Sequence, residues 1–183
     1  LTRVPAAFHG GINDVLLTGL VVAIADWCRR RGRGSGPAVL LDLEGHGREE
    51  DSFSGVDLTR TVGWFTSLYP VRLDPGAIDV AAALSGGAPL GRALKSIKEQ
   101  LRAVPRKGLH YGLLRYLNND TATELSGLPV PQLGFNYLGR FGADATSGAG
   151  AAWPMATELE GVSSGDPYMP LAHLIEINAL TLE

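Results

Sequence analysis

Leu16, Leu20, Ala23, Ile24 and Trp27 recur at helical spacing and place one apolar stripe on a helix over roughly residues 13–31, with Asn13 set to cap amides of its first turn. Gly32 to Pro37 stop that helix. The mostly apolar run Ala38-Val39-Leu40-Leu41-Asp42-Leu43 then reads as a strand inside a sheet. Thr61–Phe65 and Leu68–Leu73 look extended, and Pro70, lacking an N–H, limits central pairing in the second. A short helix is expected near Asp79–Leu84. A longer one runs through Leu90, Leu94, Ile97, Leu101 and Val104 to Pro105, with Lys95 and Glu99 spaced for an i,i+4 ion pair. Leu109, Leu113 and Leu117 predict a third helix, bounded by Gly108 and the Asn118-Asn119-Asp120 cluster. Phe135–Leu138 and the alternating Leu174–Leu182 predict two more strands, and Ala143–Ala152 a loop of small residues. Helices between strands make this an α/β chain.

Composition changes that picture little. The 183 residues suffice for one sizeable core, while 24 Gly and 11 Pro imply much loop surface. Sixteen basic against 19 acidic residues leave a net charge of −3, so nucleic acid is not an expected partner. The basic run Arg29-Arg30-Arg31-Gly32-Arg33 ends the first long helix, where it faces the negative end of the helix dipole. A single cysteine, Cys28, excludes an internal disulfide. No secretory signal and no apolar run of membrane length is seen, so a cytoplasmic setting with no membrane association is expected. The start directly in a helix and the stop at Glu183 without a turn read as one compact unit cut from a larger polypeptide.

The densest chemistry lies in Asp42-Leu43-Glu44-Gly45-His46-Gly47-Arg48-Glu49. A carboxylate that ends a buried strand is positioned by rigid backbone, and flanking glycines let a ligand approach the main chain. Glu44 is thus a candidate proton-transfer group as well as a plain strand-end residue, with His46 a possible partner. Arg48 has Asp42, Glu49 and Glu50 within reach as ion-pair partners. His9, His46, His110 and His173 are scattered with no HExxH spacing, so no metal site is expected. Walker A, Rossmann and GxSxG patterns are missing too. Asn136 and Tyr137 are adjacent in a strand and should face opposite ways; an amide and a phenol suit holding a carbonyl or enolate oxygen, or a structural role. Trp64, Phe65 and Tyr69 read as core.

Together these segments carry a resemblance. Asn13-Asp14-Val15-Leu16-Leu17-Thr18 leading to Trp27, Glu44-Gly45-His46-Gly47-Arg48-Glu49, Arg60 to Pro70, Gly108-Leu109-His110-Tyr111-Gly112 and Phe135-Asn136-Tyr137-Leu138-Gly139 resemble, in order, the later motifs of epimerization domains in non-ribosomal peptide synthetases, within the condensation-domain superfamily. The resemblance implies that residues 1–183 form the C-terminal lobe of a chloramphenicol-acetyltransferase-like pair, a mixed β-sheet flanked by helices. The HHxxxDxxSW signature of the N-terminal lobe does not occur in this chain. It further implies inversion at Cα of an aminoacyl or peptidyl thioester, with Glu44 as the catalytic carboxylate and Asn136, Tyr137 and His46 positioning substrate. No cofactor would bind directly; the phosphopantetheine arm of a carrier domain would deliver the substrate. The implied partners are the absent lobe, a peptidyl carrier domain and neighbouring adenylation or condensation domains, with self-association open to a lone lobe. The alternatives are a condensation lobe, from which the EGHGRE and RTVGWFTSLYP segments depart, and a non-catalytic docking or scaffolding lobe.

Overall fold

Alternation of buried and half-exposed residues along strand β1 (Val39–His46) divides the molecule into two sides, as seen in a computed structural model that describes residues 2–32, 36–50, 55–141 and 168–182. β1 pairs antiparallel with β2 (Thr66–Leu73) along its whole length and parallel with β3 (Leu133–Phe141), which in turn pairs parallel with β4 (Ile175–Leu182). The sheet is therefore mixed, in the order β2-β1-β3-β4. β1 sits inside it as its apolar run predicts. β2 lies at an edge, where Pro70, opposite Asp42, need not donate to a second neighbour.

Val39, Leu41 and Leu43 of β1, Tyr69, Val71 and Leu73 of β2, and Phe135 of β3 form the inner face. They pack on Leu17 and Val21 of α2 (Ile12–Arg30) and Ile97 of α4 (Ala88–Ala103), after a first short helix, α1 (Arg3–Ala7). Val22 of α2 joins a smaller cluster with Ala83 of α3 (Val80–Leu84) and Ala93 of α4. Helix α2 is thus wedged between the sheet and its neighbouring helices. Its deepest residues are Leu17, Thr18, Val21 and Val22, while the expected stripe of Leu16, Leu20 and Ile24 lies at the margin and Trp27 is exposed beneath Arg31.

Other departures have local causes. Asn13 does not cap α2; Asp14 accepts the amide of Gly11, the true cap position, at 2.7 Å. Arg29 and Arg30 turn back to clamp Asp26 at 2.8 and 2.6 Å, and the Arg29 hydrogen bond holds that carboxyl below its usual range. Glu99 pairs with Lys98 and Arg102 in place of Lys95. Thr61–Phe65 is not a strand: Thr61 closes a turn onto Leu58, and Val62 and Trp64 project into solvent, leaving only Tyr69 of the three expected core aromatics buried. The expected third helix through Leu113 and Leu117 is realised as a π-helical turn (Leu113–Leu117), preceded by a 3-10 turn (Pro105–Gly108) and followed by an unexpected helix, α5 (Asn119–Ser126). Asn118 ends the first as expected and also starts the second by accepting the Asp120 amide at 2.9 Å. The expected Ala143–Ala152 loop lies outside the described residues.

Candidate active site

Period-two alternation in β1 that buries Leu41 and Leu43 must put Asp42, Glu44 and His46 together on the outer face. Glu44 and His46 belong to the strand itself, since β1 runs three residues past the predicted end at Leu43. Their side chains therefore align, with Nε2 of His46 3.6 Å from Oε1 of Glu44. From β3, Asn136 comes to the same face, and its Oδ1 lies 2.8 Å from His46 Nε2. Thr66, the cross-strand partner of His46, has its hydroxyl 3.4 Å from Nδ1. One tautomer satisfies the set: Nε2–H donates to Asn136, and Nδ1 accepts from Thr66. The imidazole is fixed from two sides, and the Glu44 side chain, 24% exposed, is left open to an incoming group.

Tyr137 is not in this cluster. It points to the inner face, packs against the core, and its hydroxyl lies 2.9 Å from Oγ1 of Thr181 on β4. Arg48 also leaves the carboxylates: it donates to the carbonyl of Thr61 at 2.9 Å and stacks over Phe65. Glu49 pairs with Lys107 at 3.0 Å, and Glu50 accepts the amide of Leu58. The second half of the Gly45–Glu50 segment thus fastens surrounding loops, while the first half faces the open side of the sheet.

The structure adds a pair with no local signal in the sequence. His173, just before β4, places Nε2 2.9 Å from Oδ2 of Asp42, and both side chains are largely buried. Gly134 makes room for it, because a Cβ there would lie 2.7 Å from His173 Nδ1. Asp42 is thereby matched within the sheet, leaving Glu44 as the open carboxylate of β1. Among the described residues no group of three or more His, Cys, Asp or Glu could hold a metal ion. A strand-held carboxylate beside a fixed imidazole is chemically able to exchange a proton with a group brought against the outer face.

Comparison with known proteins bears on the family of the chain. The condensation domain family matches residues 1–164. A linear gramicidin synthase of Brevibacillus parabrevis is 49% identical over 151 residues, covering 81% of this chain and 3% of that protein. Tyrocidine synthase 2 of the same organism is 39% identical over 158 residues, covering 86% of this chain and 4% of its own length. Among solved structures, the epimerization domain from the third module of tyrocidine synthetase B superposes with a TM-score of 0.74 at 35% identity, covering 100% of this chain and 36% of that one. The mixed sheet flanked by helices is thus the expected chloramphenicol-acetyltransferase-like arrangement. The chain spans a few per cent of the synthases and about a third of the solved domain.

Proposed function

The chain belongs to the condensation-domain family, and on that premise we propose that it is the glutamate-bearing lobe of a peptide-synthetase epimerization domain. The reaction inverts Cα of an aminoacyl or peptidyl group held as a thioester on the phosphopantetheine arm of a carrier domain. The thioester acidifies the α-proton by spreading the carbanion's charge onto its carbonyl oxygen. A base on one face removes the proton, and an acid on the opposite face returns one.

Glu44 supplies one face. The observation that carries this reading is its placement: a strand-held carboxylate, open to solvent, beside an imidazole fixed by Asn136 and Thr66. His46 and Asn136 hold the carboxylate's surroundings and position the thioester. The other face belongs to the lobe that this chain does not contain, so the parent's partners are that lobe, the carrier domain and the adjoining modules.

The test uses the two-lobed parent with its carrier loaded as an L-aminoacyl thioester, following solvent deuterium into Cα. Glu44→Gln should lower exchange and inversion at least about a hundredfold while leaving the fold intact. Peptide-bond formation to an added acceptor aminoacyl thioester, without exchange, would assign the lobe to condensation instead. A folded, loaded parent doing neither would leave it a docking lobe.

A further inference from the structure

The outer face of the sheet is hollowed, between β1 and β2, into a cavity of about 580 Å³, roofed by the segment from the π-helical turn through α5 to Pro131. Its near wall is Leu68, the cross-strand partner of Glu44 in the β1–β2 register. Directly opposed residues on one face of an antiparallel pair have Cβ atoms about 5 Å apart. A carbon positioned for proton transfer to Glu44 therefore has this cavity within reach of one further substituent.

The lining states the chemistry of that substituent. Leu40, Leu68, Pro70 and Leu128 give apolar walls. Asp42 is hydrogen-bonded by His173 at 2.9 Å and Arg72 is paired with Asp74 at 3.2 Å, while the Arg115 guanidinium stacks over the Tyr116 ring. Burial raises the Tyr111 phenol above its ordinary range, keeping it neutral. A cationic side chain entering here would lose water beside the Arg72 and Arg115 guanidinium groups, with Asp42 already engaged by His173. A large apolar or aromatic one would bury its surface, and the volume falls within the range of ligand pockets.

We infer that the cavity walled by Leu68 and Leu128 is the specificity pocket for the side chain of the residue being inverted, and that it selects large apolar or aromatic side chains. The inference rests on the epimerization reading and names the substrate class of that same site. Its test loads the parent's carrier with single alanyl, leucyl, phenylalanyl or lysyl thioesters and measures kcat/KM for deuterium exchange at Cα. The wild type should favour leucyl and phenylalanyl over alanyl and lysyl by about tenfold or more, the range that apolar pockets achieve. Leu128→Trp, a substitution at a half-exposed wall position that fills the cavity, should cost phenylalanyl about tenfold and alanyl less than about twofold. Retained alanyl exchange then also reports an intact fold. Leu128→Ala opens the same wall and should move the preference toward the larger side chain.

Equal losses for all thioesters in Leu128→Trp, together with an unchanged order in Leu128→Ala, would overturn the pocket while leaving epimerization standing. Preference for lysyl, or selectivity appearing only with an upstream residue attached, would overturn it too. A wild type that exchanges none of the thioesters would overturn both readings together.

Discussion

Adjacent side chains of one strand turn to opposite faces of the sheet. Asn136 turns to the outer face and meets His46; Tyr137, next in sequence, turns inward and meets Thr181. Sequence logic places both near substrate by resemblance and also demands that they diverge, and the backbone enforces the divergence. Tyr137→Phe in the parent should therefore leave Cα exchange within about twofold while costing about 1 kcal/mol in a denaturant titration, the usual net worth of one hydrogen bond. A loss of exchange comparable to that of Glu44→Gln would place the phenol in the reaction after all. The residues that surround Glu44 were unequally legible. Glu44 and His46 stand in one short motif, whereas Asn136 lies 90 positions from His46, and His173 lies 131 from Asp42. Only strand register creates those neighbours, and no local pattern encodes register between distant segments.

Long elements were legible where burial is one-sided. The apolar run of β1, the helical spacing in α4 and the alternation of β4 each follow from a single apolar face meeting the core. Leu113–Leu117 was legible as helix but not as a π-helical turn with exposed leucines, and α5 was not legible, because Asn118 serves equally to stop one helix and start another. Thr61–Phe65 misleads in the same way: its aromatic and β-branched composition suits a strand, yet the turn onto Leu58 directs it outward. β2, the edge strand, carries a pH-dependent element of stability. Burial, then the charge of Glu49, raises the Tyr69 phenol above its ordinary value of 10.0. The fold therefore favours the neutral phenol, and this contribution is complete below about pH 10 and is lost as pH rises through the raised value. Tyr69→Phe should make unfolding free energy fall less steeply between about pH 9 and 11 in urea titrations of the chain. The flattening should be partial, since Tyr111 is raised in the same direction, chiefly by burial. An unchanged slope would mean that Tyr69 ionises as freely in the fold as out of it.

Considered as one body and on the proposed reading, the molecule is one half of a proton-transfer device. Its sheet turns one face inward to a continuous core and presents Glu44, His46 and Asn136 on the other, where the Leu68-walled cavity also opens. Inversion at carbon requires a donor on the side opposite the base, and a single sheet face can approach a trigonal carbon from one side only. A fold can thus be complete while its reaction is not. The 183-residue chain, mixed with a loaded carrier, should invert Cα at least about a hundredfold more slowly than the two-lobed parent, because displacing one group by about 1 Å already costs on that order. Circular dichroism of the same sample should report the mixed α/β content. Supplying the other lobe in trans should recover inversion in proportion to its binding, and a Glu44→Gln chain should recover none. Inversion, as distinct from exchange with retention, by the lone chain within about tenfold of the parent would show that the opposite-face donor lies within this chain, making His46 rather than a residue of the other lobe the natural second group.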